Sequence, residues 1–174
     1  MKKILVPVLL AAALLLGACG QGTKAASTTD PAVGYDGLVF STTDREGNAW
    51  DESVFADHVL TMLNFWEPWC GPCVGEMPDL QRLQEEYADR GFQILGIYAT
   101  PGMESDVQAV LDYTGVTYPI LHYTDAFDRF QSGYVPTTVF IDREGRVLGE
   151  GDAALHVGSD SYDGWAAIVE DLLG

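Results

Sequence analysis

Two cysteines, Cys70 and Cys73, stand two residues apart in Trp69-Cys70-Gly71-Pro72-Cys73. Thiol–disulfide exchange needs one thiol that ionises and meets its partner, and a second close enough to break the mixed disulfide before that partner leaves. A Cys-X-X-Cys pair opening a helix supplies both. Cys70 would sit where free amides and the positive end of the helix dipole favour thiolate, with Cys73 one turn further in. Such placement lowers an attacking thiol from about 8.5 to roughly 3.5–7.5. The spacing therefore predicts Cys70 as an exposed nucleophile and Cys73 as a shielded resolving thiol. A loop this short constrains little unfolded-chain entropy, so the use expected of the pair is chemical, not structural. Zinc is the alternative reading of the motif, but it needs four ligands. There is no second cysteine pair, and His58, His122 and His156 are scattered singly; neither a metal nor a cofactor is expected, and the histidines read as surface or satisfied polar residues.

The third cysteine, Cys19, follows Lys2-Lys3, an apolar run from Ile4 to Leu16, and Gly17-Ala18. The run is shorter than the about 20 apolar residues that cross a bilayer, and it reads as the core of an export signal over residues 1–18. Leu16-Gly17-Ala18-Cys19 resembles a bacterial lipobox, which implies a lipidated Cys19 at a new N-terminus; a plain secretory signal is the alternative. Two acyl chains at about 0.8 kcal/mol per buried methylene suffice for stable attachment to a membrane. With Cys19 assigned to lipid, no odd thiol remains. The small and polar stretch that follows to Gly34, with Asp30-Pro31 in it, reads as a tether (19–34). About 15 extended residues reach on the order of 50 Å.

The chain has 174 residues, enough for one ordinary domain, expected over 35–174. Its net charge is −17, which argues against nucleic acid as a partner. An acidic surface suits basic client proteins, or simply keeps a domain soluble.

The elements that must hold the cysteine pair alternate between strand and helix. Leu38–Thr42 and Ala49-Trp50 flank a turn at 44–48 and predict an N-terminal hairpin. Val59–Trp66 is an apolar strand leading into the pair. After it, Val74, Met77, Leu80, Leu83 and Tyr87 recur at helical spacing, with Pro78 expected to kink the helix and Gly91 to close it. Gln93–Ala99 reads as a buried strand. Ser105 and Gln108 form a capping-box pattern opening a helix that ends at Gly115. Strands are predicted at Tyr118–Leu121, Thr137–Asp142 and Arg146–Glu150, a short helix at Asp125–Phe130, and a last helix bearing the stripe Trp165, Ile168, Val169, Leu172. The fold class is α/β, a central mixed β-sheet flanked by helices.

Asn64-Phe65-Trp66-Glu67-Pro68-Trp69-Cys70-Gly71-Pro72-Cys73, with Glu76-Met77-Pro78 after it and Tyr134-Val135-Pro136-Thr137-Thr138 further on, resembles the thioredoxin superfamily, and within it the TlpA and ResA type of membrane-anchored disulfide reductases. The resemblance covers nearly all the chain from Tyr35. It implies a thioredoxin-like fold, a cis proline at Pro136 beside the active sulfur, and main-chain groups of Val135 that bond a client strand. It implies an exposed Trp69 shielding the sulfur; Trp66 reads as core, and Trp50 and Trp165 as packing. Gly71-Pro72 is the dipeptide of thioredoxin, at about −270 mV, against about −120 mV for the oxidant DsbA, which favours reduction. The ResA subgroup has a glutamate between its cysteines where this chain has Gly71-Pro72, so restriction to cytochrome c maturation is not implied. Where thioredoxin has a buried aspartate that helps ionise the resolving cysteine, this chain has Asn64, which cannot ionise. Glu76 or Glu67 is the candidate to move that proton, directly or through water.

The function expected is that of an extracytoplasmic thiol–disulfide oxidoreductase, with antioxidant character, held at the bacterial cell membrane by its lipid. Its clients would be disulfides of exported proteins, such as apocytochrome c or a methionine sulfoxide reductase, and a CcdA- or DsbD-like membrane carrier would supply its electrons. The rivals are a peroxiredoxin-like thiol peroxidase, for which the Pro-X-X-X-Thr-X-X-Cys setting is absent, and a non-catalytic binding lipoprotein on the same fold.

Overall fold

The computed structural model describes residues 37–149 and 154–174. The expected export signal and tether, Cys19 and the predicted strand end at Glu150 lie outside the described residues. No helix among the described residues is long and apolar enough to cross a membrane.

The chain opens with β1 (Ser41–Thr43) and β2 (Ala49–Asp51), an antiparallel pair, followed by α1 (Ser53–Ala56). The turn between them is organised by one side chain. The Asp44 carboxylate accepts from the Glu46 and Asn48 amides at 3.0 and 2.8 Å, from Asn48 Nδ2 at 2.8 Å and from Trp50 Nε1 at 3.0 Å. The expected hairpin is present but set later: Leu38 and Phe40 are core residues, not strand residues.

A mixed sheet follows, built from β3 (Leu60–Phe65), β4 (Phe92–Tyr98), β5 (Ile120–His122), β6 (Thr137–Asp142), β7 (Val147–Leu148) and β8 (His156–Val157). Its order is β5-β4-β3-β6, with β7 and β8 pairing different stretches of β6. Neighbours β3, β4 and β5 are parallel and β6 is antiparallel to β3. Every residue of β3 and β4 is buried, as expected of central strands covered on both faces. Alternation sorts their side chains. Leu60, Met62, Phe92, Ile94 and Phe140 face α2 (Gly71–Tyr87), α3 (Glu104–Thr114) and α4 (Tyr162–Leu173), whereas Leu63, Phe65, Leu95, Ile97, Val139 and Ile141 face Leu38, Phe40, Phe55, Phe127 and Phe130. The second face is thus closed by the N-terminal segment, α1 and the 3-10 helix Asp125–Phe130, not by long helices.

Two helix details differ from the sequence reading. The helix α2 runs through Pro78 as one assigned element. Its α3 neighbour starts at Glu104 after Met103, with no side-chain cap, so Ser105 lies inside the first turn and no capping box forms. Glu104 and Asp106 occupy that turn, where their charge suits the dipole.

Candidate active site

At the carboxyl end of β3 the chain turns through Trp66–Trp69 and delivers Cys70 to the N-cap of α2, with Gly71 and Pro72 as its first residues. Proline is tolerated there because its missing N–H would be unpaired anyway. Cys70 and Cys73 form a disulfide. The Cys73 main-chain N–H donates to Cys70 Sγ at 3.2 Å, the contact that would hold negative charge on this sulfur once the bond is open. Trp69 stands over the motif 64% exposed, but the expected contrast between the two cysteines is small: Cys70 is 5% exposed and Cys73 1%. Cys70 is covered by the loop preceding β6, whose Val135 carbonyl lies against its sulfur.

That loop carries Val135 and Pro136, joined by a cis peptide bond. Cys70 Sγ lies 3.5 Å from the Val135 carbonyl oxygen. The Pro136 carbonyl accepts from the Gly158 amide at 2.9 Å, whereas Val135 makes no main-chain hydrogen bond among the described residues. Beside this edge runs a groove of about 510 Å³ lined by Phe65, Trp69, Tyr123, Phe130, Tyr134 and Val135 among others, with Tyr134 74% exposed at its rim.

Behind the disulfide, one turn along α2, Glu76 is buried and 3% exposed. Its Oε1 accepts from Asn64 Nδ2 at 3.1 Å, and its Oε2 accepts from Trp165 Nε1 at 3.2 Å and the Asp160 amide at 3.3 Å. Asn64 Nδ2 also donates to Thr138 Oγ1 at 3.1 Å. Burial pushes the Glu76 carboxyl up, to about 7, against the three donors that favour its charge; the nearby negative charge of Asp160 adds to the rise. Tyr118 is pushed up in turn by its own burial and by Glu76.

Glu67 is buried too, but differently employed. Its Oε1 accepts from the Ala99 and Thr100 amides at 2.9 and 3.2 Å, tying the approach to Cys70 to the loop after β4. The two acids that the sequence leaves as equals are therefore separated: Glu76 lies on the α2 face that carries Cys73, and Glu67 acts as a main-chain clamp. Trp165, read from sequence as packing, is both core and hydrogen-bond donor to Glu76. Nothing in the sequence signals that contact, which spans 89 positions. The three histidines sit apart: His122 Nδ1 pairs with Thr43 Oγ1 at 3.1 Å, His58 with the Val54 carbonyl at 3.0 Å, and His156 packs against Phe140 and Trp165. Among the described residues no group of three or more histidine, cysteine, aspartate or glutamate side chains could hold a metal ion.

A thioredoxin-like sheet presenting a Cys-X-X-Cys disulfide at a helix N-terminus beside a cis proline is an arrangement suited to thiol–disulfide exchange. Residues 33–149 match the AhpC/TSA family, and the chain belongs to it. It is 38% identical over 88 residues to the thiol-disulfide oxidoreductase ResA of Oceanobacillus iheyensis, a match covering 49% of this chain but only 45% of that protein. It is 32% identical over 147 residues to ResA of Geobacillus thermodenitrificans, covering 77% of this chain and 79% of that one. Among solved structures, a thiol:disulfide interchange protein of the thioredoxin family from Chlorobium tepidum TLS is similar at a TM-score of 0.66 and 29% identity, over 79% of this chain and 95% of that one.

Proposed function

We propose that this chain is an extracytoplasmic reductase of protein disulfides, anchored through a lipidated Cys19 and working by a Cys70/Cys73 dithiol–disulfide cycle. The observation that carries the reading is the placement of Cys70 Sγ between the Cys73 amide, at 3.2 Å, and the Val135 carbonyl, at 3.5 Å. One contact stabilises the attacking sulfur, and the other marks where a client main chain would lie. In the reduced protein the Cys70 thiolate attacks one sulfur of the client disulfide, and the other leaves as a thiolate that takes up a proton. Cys73 then gives its proton towards Glu76, and its thiolate attacks Cys70 Sγ. The second client sulfur leaves and is protonated, so the client gains two electrons and two protons while Cys70 and Cys73 become the disulfide. A membrane dithiol carrier of the CcdA or DsbD kind restores the dithiol.

The client segment is an extended chain laid along Val135, pairing with its free main-chain groups as an added strand, with its side chains against Trp69 and Tyr134. Disulfides of exported proteins, including apocytochrome c and methionine sulfoxide reductase, are the class of client. The Gly71-Pro72 dipeptide supports the reductive direction. The test is trapping: a Cys73→Ser chain, reduced and exposed to exported proteins, should stall as mixed disulfides on Cys70. Recovery of small-molecule thiols alone would overturn the protein-client reading. A measured potential above about −150 mV would reverse the direction. Cys19→Ser should move the protein from the membrane to the soluble fraction, and unchanged partition would remove the lipid anchor.

A further inference from the structure

Glu76 is approached from four sides. From β3 comes the Asn64 amide, from α4 the Trp165 indole, from the segment preceding β5 the Tyr118 phenol, and from the segment between β8 and α4 residue Asp160. Its own helix contributes Cys73, held in the disulfide. Three of these neighbours carry no charge at neutral pH, Tyr118 because burial keeps its phenol protonated. His156, which packs on Trp165 behind them, is pulled towards neutrality by burial and towards charge by Asp160.

Asp160 differs from the others in having two opposite effects. Its main-chain N–H donates to Glu76 Oε2 at 3.3 Å and favours a charged Glu76. Its side chain is exposed, accepts from the Ser161 amide at 2.7 Å, and packs over the first turn of α4 where Gly164 leaves room for it. There it is a like charge on the solvent side of a buried acid, and like charge disfavours a second ionisation.

We propose that Asp160 is a positioning residue of the exchange site, whose main-chain N–H holds the Glu76 carboxyl in place while its side-chain charge keeps a proton on it. The inference rests on the proposed role of Glu76 as the group that takes the Cys73 proton. It adds to the burial of Glu76 a second control on the pH range of the resolving step, exerted by an exposed residue 84 positions away in sequence.

The test uses the full chain carrying glutathione as a mixed disulfide on Cys70, and follows glutathione release by Cys73 against pH. In parallel the carbon-13 resonance of the Glu76 carboxyl is titrated in the oxidised protein. The unaltered chain should show an inflection near 7 in both. Asp160→Asn keeps the main-chain donor and an oxygen to accept from the Ser161 amide and removes only the charge, so both inflections should move down by on the order of half a pH unit, with release at pH 6 about two- to three-fold faster. Salt at 1 M, where the screening length is about 3 Å, should move the unaltered chain the same way, a shift that needs no variant to fold, and should move Asp160→Asn by less. Should Glu76→Gln retain the inflection in glutathione release, the role of Glu76 itself fails. If Glu76→Gln abolishes it while neither Asp160→Asn nor salt moves the carboxyl titration, the role of Glu76 survives and that of Asp160 is overturned.

Discussion

The Asn64 side-chain amide donates to Glu76 Oε1 at 3.1 Å across the buried seam between β3 and α2. The acid of this seam is on the helix, not on the strand. A neutral donor stands on the strand, and the ionisable group is carried on the same helix as Cys73. This placement leads to distinct expectations for the residues around it.

Replacing Glu76 with Gln should flatten the pH dependence of stability. The folded-state carboxyl titrates near 7, above its ordinary value of 4.5. A raised carboxyl contributes stability that is fully present below about 4.5 and is lost as pH rises through about 7, because the folded chain must then bury a charge. The loss across that window is on the order of 3 kcal/mol. Denaturant melts of the oxidised protein at pH 5 and pH 8 should show this difference, and Glu76→Gln should shrink it; equal differences in both proteins would refute the assignment.

Asn64→Asp should give the strand a second acid beside the first. Two carboxyls within hydrogen-bond reach cannot both ionise cheaply, so the pair should titrate in two steps, the upper one above that of Glu76 alone. Carbon-13 titration reads this directly. Stability at pH 8 should drop below that of the parent, and a single unshifted step for Glu76 would contradict the geometry.

Glu67→Ala should weaken the fold without touching the proton chemistry. It leaves the Ala99 and Thr100 amides without the oxygen they share, a loss of about 1–3 kcal/mol. The pH inflection of glutathione release should stay where it is. A moved inflection would return Glu67 to candidacy as proton acceptor.

Gly96→Ala tests the packing beneath the site. A Cβ there would meet Ile120 Cδ1 at 2.7 Å and Trp66 Nε1 and Tyr118 Cε2 at 3.2 Å. Overpacking of this kind costs about 1–3 kcal/mol. Thermal melts should show a lowered Tm, and an unchanged Tm would mean that Trp66 and Tyr118 yield without cost.

The parts of the fold that follow from local pattern were legible in the sequence. Strand β3 is one uninterrupted apolar run but for Thr61 and Asn64, and the α2 stripe from Met77 to Tyr87 has the period of a helix packed on a sheet. The thiol pair is legible from its own spacing, and the cis proline at Pro136 only through the family resemblance carried by Tyr134-Val135-Pro136-Thr137-Thr138. Short or tertiary features were not. Four-residue α1 and two-residue β8 are too brief to show a period. The start of α3 was misplaced because Ser105 and Gln108 satisfy a capping pattern that Met103 pre-empts. Glu76 and Glu67 could not be ranked, because what distinguishes them is which donors reach each carboxylate: Asn64, Trp165 and Asp160 for one, Ala99 and Thr100 for the other.

Strand register adds a final consequence. Gly96 on β4 lies opposite Asn64 on β3, Asn64 opposite Thr138 on β6, and Thr138 opposite His156 on β8. Three polar side chains, Asn64, Thr138 and His156, thus stand in one register row that ends at the sheet edge, where β8 is only two residues long. The polar side chains nearest the redox centre are thus in register with a short edge strand, so their setting belongs to the sheet, not to the helix that carries the thiols.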